Sequence, residues 1–187
     1  MKFYQRYSNS VVLSLLLTMN IFLIGFMGSG KSTIGKKLAN RLGYVFLDMD
    51  REIETTEKKS IAHLFKESGE THFRNLETNW LKNFEGENAV ISTGGGTPCF
   101  NENFSLMKAK GKTVFLQVPA TTLAQRLFHA NQSRPLLENY IQNQESLQNY
   151  IEQKLAERLT VYEQSDVMIN AASFDSVKLD QLVSLLK

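Results

Sequence analysis

The feature that most restricts the fold is the segment GFMGSGKS at residues 25–32. It matches the pattern G-x-x-x-x-G-K-[ST], a phosphate-binding loop. The apolar run Ile21–Ile24 precedes it and predicts a buried strand, while Lys31–Leu42 follows with apolar residues at helical spacing. Because the motif binds phosphate when it joins a strand to a helix, this context predicts a nucleotide-binding α/β domain.

The residue types in this loop suit a triphosphate and a divalent cation. Its glycines allow a tight turn, and the backbone amides at the helix N-terminus donate to phosphate oxygens. Lys31 adds a positive charge for the β- and γ-phosphates, and the Ser32 hydroxyl is placed to bind Mg²⁺. The predicted ATP or GTP site comprises Gly28, Ser29, Gly30, Lys31, Ser32 and Thr33. This loop occurs in switches, motors and kinases, so it does not identify the reaction.

Four more short apolar runs alternate with helix-like stretches along the rest of the chain. The predicted strands are 21–24, 44–47, 89–91, 114–116 and 167–169; the predicted helices are 31–42, 61–68, 72–84, 104–108, 121–128, 147–164 and 174–186. This alternation predicts a five-stranded parallel sheet in a three-layer α/β/α sandwich, the P-loop NTPase fold. The polar segment at about 131–148 is rich in Asn and Gln and is predicted to be a mobile lid.

Composition excludes several classes of protein. A single cysteine excludes an internal disulfide framework, and the scattered basic residues, with a net charge of +2, do not indicate a nucleic-acid surface. The apolar run Val11–Leu17 resembles a signal peptide or a marginal membrane span. Since the first strand leads directly into the phosphate loop, we instead expect residues 1–18 to be an extension and residues 19–187 to form one domain; a membrane-attached form is the alternative.

The carboxyl edge of the predicted sheet carries the candidate acceptor site. Asp48 and Asp50 follow the second strand, and an extended segment would point both side chains the same way. One carboxylate would hold a metal-bound water and the other would accept a proton from a hydroxyl, although Asp50 is also a candidate helix N-cap. The glycine run 94–96 follows the third strand and allows close approach of a ligand.

Three arginines complete the pattern: Arg74, Arg134 and Arg158. Arginine suits bidentate capture of carboxylate and phosphate groups, although any single arginine on a helix is usually a surface residue. The histidines at 63, 72 and 129 show no ligand spacing. The prediction therefore depends on the arginines jointly with the aspartates and glycines.

These segments occur in the same order in the shikimate kinases, which the chain resembles from about residue 20 to residue 187. The matching segments are the phosphate loop, Asp48-x-Asp50, Phe73-Arg74-x-x-Glu77, the glycines 94–96, Arg134-Pro135-Leu136-Leu137, and Arg158 with Tyr162. The family's reaction is ATP plus shikimate giving ADP and 3-phosphoshikimate, on the route to chorismate and the aromatic amino acids. Residues 1–18 have no counterpart in the family, and Thr160 replaces its usual proline.

The resemblance implies a role for each matched residue. Arg74 and Arg158 would bind the shikimate carboxylate, with Glu77 fixing Arg74 or contacting substrate. Asp50 would be the base or hydroxyl orienter, helped by the backbone of Gly95 and Gly96. Lys31 and the lid residue Arg134 would bracket the transferred phosphoryl group. Ser32 and Asp48, the latter through water, would position Mg²⁺, and Arg126 would stack on adenine.

The family also implies a cytoplasmic, monomeric enzyme whose partners are ATP and shikimate, with no nucleic acid or membrane. One alternative is a kinase of the same fold that acts on gluconate or a nucleoside monophosphate. Another is a nucleotide-dependent regulator that phosphorylates nothing. The set Asp50, Arg74 and Arg158 argues against the regulator, because a regulator needs no carboxylate clamp.

Overall fold

The computed structural model describes residues 19–129, 137, 140 and 143–186. Five strands form one sheet in which every pairing is parallel, in the order β2-β3-β1-β4-β5. Their bounds are β1 Asn20–Ile24, β2 Val45–Asp48, β3 Ala89–Ser92, β4 Gly111–Gln117 and β5 Val167–Asn170. The predicted five-stranded parallel sheet is confirmed.

Helices connect the strands and cover the sheet. They are α1 Lys31–Leu42, α2 Met49–Glu57, α3 Ile61–Asn83, α4 Asn103–Lys110, α5 Ala120–Phe128, α6 Gln144–Tyr162 and α7 Ser176–Leu186, with a 3₁₀ turn at Thr97–Cys99. Helices α1, α5 and α7 bury side chains on one face of the sheet, and α2, α3 and α4 do so on the other. This gives the predicted three layers. None of the helices described is long and apolar enough to cross a membrane.

The alternation of side chains along β1 divides the core into two parts. Ile21 and Leu23 pack in one apolar cluster, while Phe22 and Ile24 pack in the other, and all four side chains are nearly inaccessible to solvent. Because β1 is the central strand and is buried on both faces, its run of apolar residues is continuous rather than alternating. The loop that follows β1 is therefore anchored in the centre of the domain.

The structure differs from the sequence-based expectations in two places. Residues 49–57 form α2 immediately after β2, so Asp48 and Asp50 do not share an extended segment, and Asp48 rather than Asp50 holds the N-cap position. The two helices predicted at 61–68 and 72–84 are present as the two parts of α3, which meet at a kink at Gly69, where φ is 76° and ψ is 174°. Residues 144–148 of the expected lid belong to α6. The extension 1–18 and Arg134 lie outside the described residues.

Candidate active site

A cleft of about 780 Å³ opens at the carboxyl edge of β1, β2 and β3. In open parallel sheets this edge is where ligands bind. Eleven of the predicted site residues line the cleft: Gly28, Gly30, Lys31, Ser32, Thr33, Asp48, Asp50, Arg74, Gly95, Gly96 and Arg158. Arg158 reaches the cleft from α6. Residues that are far apart in the sequence thus meet in one site.

The phosphate loop has the backbone shape that its glycines allow. Gly28 and Gly30 have φ angles of 80° and 96°, a region that other residues rarely adopt. The Lys31 ammonium is buried and donates to the carbonyl oxygens of Gly25 at 2.8 Å and Phe26 at 3.0 Å. These contacts hold the lysine across the loop. The Ser29 side chain is also buried within the loop.

Oxygen ligands gather beside the first turn of α1. The Ser32 hydroxyl donates to Asp48 Oδ2 at 2.8 Å. The Ser92 hydroxyl oxygen lies 3.3 Å from the Ser32 hydroxyl oxygen. Hydroxyl and carboxylate oxygens are the ligands that Mg²⁺ prefers, and Mg²⁺ usually keeps several waters and phosphate oxygens. Within the described part of the chain, no group of three or more His, Cys, Asp or Glu residues is placed to hold a metal. The oxygens of Ser32 and Asp48 therefore fit a divalent cation that takes its other ligands from water and phosphate.

Asp50 is the least compensated carboxylate in the cleft. It lies in the first turn of α2, and its Oδ1 is buried with no hydrogen-bond partner among the described residues. Burial raises the pKa of Asp50 to about 6, reinforced by the negative charges of Glu77 and Asp48 and opposed by Lys31 and Arg74. Such a pKa suits a group that gains and loses a proton near neutral pH.

Arg74 is held between two carboxylates on α3. Its Nη1 donates to Glu77 Oε2 at 2.7 Å, and its Nε and Nη2 donate to Glu70 Oε1 at 3.1 and 2.8 Å. Glu77 is fully buried and also accepts a hydrogen bond from the Thr97 hydroxyl. Burial raises the pKa of Glu77, while Arg74 and Thr97 oppose that rise. Sequence reasoning missed the pairing with Glu70, although its signal, a spacing of four residues on a helix, was available.

Arg158 has a different environment from Arg74. It is buried on α6, its guanidinium carbon lies 5.2 Å from the centre of the Phe26 ring, and its Nη1 has no hydrogen-bond partner among the residues described. None of the ion pairs of the described structure includes it. A buried guanidinium without a counter-ion is well suited to receive a carboxylate.

Gly95 and Gly96 bring bare backbone against the other site residues. A methyl group on Gly95 would lie 3.1 Å from the Met27 amide nitrogen of the phosphate loop. A methyl group on Gly96 would lie 2.7 Å from Arg74 Nη2 and 3.0 Å from its Cζ. The glycine run thus lets the phosphate loop and the arginine approach the same stretch of chain.

We expect Gly96→Ala to weaken binding of the acceptor without affecting the nucleotide. The φ of Gly96 is −90°, which alanine tolerates, so the effect comes from displacement of the Arg74 guanidinium. The Michaelis constant for the acceptor should rise by about tenfold or more, because small displacements of positioning groups have large effects. Steady-state kinetics with each substrate varied checks this. An equal rise in the constant for ATP would contradict it.

Arg126 crosses from α5 to two loops. Its guanidinium donates to the carbonyl oxygens of Gly28 at 3.0 Å, Ala171 at 3.3 Å and Ala172 at 2.6 Å. The side chain therefore ties the phosphate loop to the segment after β5. Its stacking on adenine stays a prediction, as does the part assigned to Arg134.

Comparisons with known proteins point to one family. A family model described as Shikimate kinase matches residues 27–186. The chain is similar to the shikimate kinase of Bacteroides thetaiotaomicron, with 45% identity over 152 residues that cover 81% of this chain and 86% of that protein. It is 42% identical over 152 residues to the shikimate kinase of Persephonella marina, covering 81% of this chain and 88% of that one.

Solved structures agree with the sequence matches. The crystal structure of the Bacteroides thetaiotaomicron shikimate kinase superposes with a TM-score of 0.81 and 42% identity, covering 89% of this chain and 95% of that one. Shikimate kinase from Acinetobacter baumannii in complex with shikimate gives a TM-score of 0.80 at 31% identity, covering 93% and 94%. A gluconokinase from Sinorhizobium meliloti, at 17% identity and a TM-score of 0.58 over 91% and 92% of the two chains, shares the fold alone.

Proposed function

This chain belongs to the shikimate kinase family, and from that premise we propose which of its residues carry out the reaction. The reaction is transfer of the γ-phosphoryl group of ATP to the 3-hydroxyl of shikimate. One observation carries the proposal: a phosphate loop, a carboxylate whose buried oxygen has no partner in the described part of the chain, and two buried arginines line the same cleft. These are the groups needed to hold a triphosphate, activate a hydroxyl and bind a carboxylate.

Arg74 and Arg158 bind the carboxylate of shikimate from two sides. Arg74 is oriented by its hydrogen bond to Glu77, and Arg158 Nη1 has no partner among the described residues, so a carboxylate oxygen would satisfy it. The substrate's negative charge also supplies the counter-ion that Arg158 lacks among the described residues. Binding at this end orients the ring so that its hydroxyls face Asp50 and the backbone of Gly95 and Gly96.

Asp50 accepts the proton of the 3-hydroxyl. As the hydroxyl oxygen forms its bond to the γ-phosphorus, the bond from phosphorus to the β-phosphate oxygen breaks, ADP leaves, and the proton passes to the carboxylate of Asp50. The unpartnered Oδ1 is the atom we assign to this hydrogen bond. Its position near Lys31 fits this role, because the Lys31 charge favours the ionised carboxylate.

Charge on the transferred group is stabilised from the phosphate loop and the lid. Lys31 and the backbone amides of the loop face the phosphates, and Arg134 is assigned to reach them from the lid. We assign Ser32 and Asp48, with Asp48 acting through water, to a Mg²⁺ ion, which when bound offsets charge on the phosphate oxygens. Arg126 would contact the adenine.

Three family properties complete the proposal. We assign the chain a cytoplasmic location, a monomeric state, and a catalytic domain that begins near residue 19 and leaves residues 1–18 outside it. Removal of residues 1–18 with retention of shikimate-dependent activity would support the domain boundary. Sedimentation analysis of the full chain tests the monomeric state.

We expect kcat/KM for shikimate to rise with pH through a value of about 6, because the base must be ionised in the free enzyme. The rate should fall about tenfold for each pH unit below that value and level off above it. Coupled detection of ADP release with MgATP, from pH 5 to 8.5, checks this, with gluconate and nucleoside monophosphates as control acceptors. A flat profile with shikimate would contradict the assignment of Asp50, and release with a control acceptor only would contradict the substrate.

A further inference from the structure

One buried hydroxyl close to the site has no part in the proposed reaction. Tyr162 is the last residue of α6 and is inaccessible to solvent, and its hydroxyl donates to the carbonyl oxygen of Gly95. Its ring packs against Phe115 of β4, with ring centres 5.1 Å apart. Packing against β4 therefore holds the Tyr162 ring in a position from which its hydroxyl reaches the backbone of residues 94–96.

This hydrogen bond determines the direction of a neighbouring donor. In a trans peptide the C=O and the following N–H point in opposite directions, and the described chain contains no cis bonds. When the Gly95 carbonyl points toward Tyr162 in the core, the Gly96 N–H points away from the core, toward the cleft that both glycines line. Without side chains, glycines have few other contacts to hold this orientation.

Tyr162 is also coupled to the arginine that faces the cleft. Arg158 lies four residues earlier on α6, which places both side chains on one face of the helix. Burial raises the pKa of Tyr162 well above its usual range, so the hydroxyl remains a donor at any working pH. Helix α6 thus carries both Arg158, which is assigned to the substrate carboxylate, and Tyr162, which bonds to the glycine run.

We propose that Tyr162 is a positioning residue for the acceptor: its hydroxyl holds the Gly95–Gly96 peptide so that the Gly96 N–H faces a ring hydroxyl of shikimate. This inference depends on the proposed function, in which the backbone of Gly95 and Gly96 holds the ring hydroxyls. Tyr162 sets the distance and direction between that backbone donor and Arg158. Its hydroxyl does not contact the substrate: it acts through Gly96, and its interaction with the neighbouring Arg158 is a second route that the test must separate.

The test is Tyr162→Phe, which removes the hydroxyl and keeps the ring. We expect the KM for shikimate to rise about three- to tenfold, as for one lost hydrogen bond, with the KM for ATP unchanged within a factor of about two. Tyr150→Phe is the matched control, because Tyr150 is on the same helix and stacks on Tyr140. Incorporation of 4-aminophenylalanine at position 162 returns a donor and should restore the KM.

Shikimate analogues that each lack one ring hydroxyl distinguish a specific effect on the Gly96 N–H from a general weakening of the binding site. For the analogue without the hydroxyl that Gly96 holds, wild type and Tyr162→Phe should bind equally, whereas the variant should bind the other analogues more weakly. An equal loss for every analogue, an unchanged KM for shikimate, or failure of the amino analogue to restore it would overturn the proposal. If Arg158→Met leaves shikimate binding unchanged, the assignment of Arg158 to the carboxylate clamp fails instead, whatever Tyr162 does.

Discussion

Asp50→Asn is expected to lower kcat by at least about 100-fold while making the unliganded protein more stable at neutral pH. Loss of a general base commonly reduces rates by about 100- to 10,000-fold. Asparagine keeps the size of the side chain but has no carboxylate to accept the proton. The coupled ADP assay with shikimate at saturating MgATP measures the first effect.

The gain in stability follows from the raised pKa of Asp50. Unfolding returns the pKa of the Asp50 carboxyl from about 6 to its usual 3.8, so the folded state disfavours the ionised form. Below about pH 4 the carboxyl is protonated in both states and carries no penalty. Between about pH 4 and 6 only the unfolded state ionises, and stability falls; above about pH 6 the full penalty applies. It amounts to at most about 3 kcal/mol, and less where solvent reaches the second oxygen.

Urea unfolding of wild type and Asp50→Asn at pH 4.5 and pH 7.5, without ligands, measures this difference. We expect the variant to be the more stable of the two at pH 7.5, with a smaller difference at pH 4.5. Asp48→Asn is the control: its carboxylate accepts a hydrogen bond from Ser32, so no such gain is expected. A variant that is inactive but equally or less stable at pH 7.5 would mean that Asp50 is not held in an unfavourable ionised form.

Arg74→Met and Arg158→Met should both weaken shikimate binding by about 100-fold or more, but only the first should destabilise the fold. Each removes charge-assisted hydrogen bonds to the substrate carboxylate. Arg74→Met also leaves Glu77 buried without its partner, a loss of about 3–5 kcal/mol. Arg158 has no ion pair within the described structure, and its buried charge carries a desolvation cost, so its removal should not lower the free energy of unfolding.

Kinetics with shikimate varied, together with urea unfolding, checks both halves of this prediction. The double variant Arg74→Met/Glu77→Met should recover most of the lost stability, since it removes both buried charges, but none of the lost affinity. Equal destabilisation by the two single variants would show that Arg158 has a structural role that its contacts do not indicate. An unchanged KM for shikimate in either variant would remove that arginine from the clamp.

The local sequence was sufficient for most of the sheet and the phosphate loop. Ile21–Ile24 and residues 89–91 are short apolar runs in buried parallel strands, and the loop glycines occupy backbone angles that only glycine adopts readily. Helix α2 was missed because it follows β2 without a loop and because only Met49 and Ile53 on it are buried. The aspartates nevertheless line one cleft, since a helix that begins at the strand end keeps both at the sheet edge.

Long-range contacts are what the sequence did not indicate. The hydrogen bond from Tyr162 to Gly95 joins residues 67 positions apart, and the Ser32–Ser92 contact joins residues 60 apart. A single sequence contains no periodicity that links such pairs. Arg126 was predicted to face adenine, but its three carbonyl partners on two loops depend on how β5 lies beside β4.

The kink at Gly69 separates two tasks within α3. Before the kink, Ile61, Ala62 and Phe65 line the cleft as an apolar wall; after it, Arg74 and Glu77 form the charged pair. The backbone of Gly69 is not helical, so we expect substitutions in the wall to leave the orientation of Arg74 unchanged. Substitutions at Ile61, Ala62 and Phe65 should therefore change which acceptor fits the cleft while recognition of its acid group is retained.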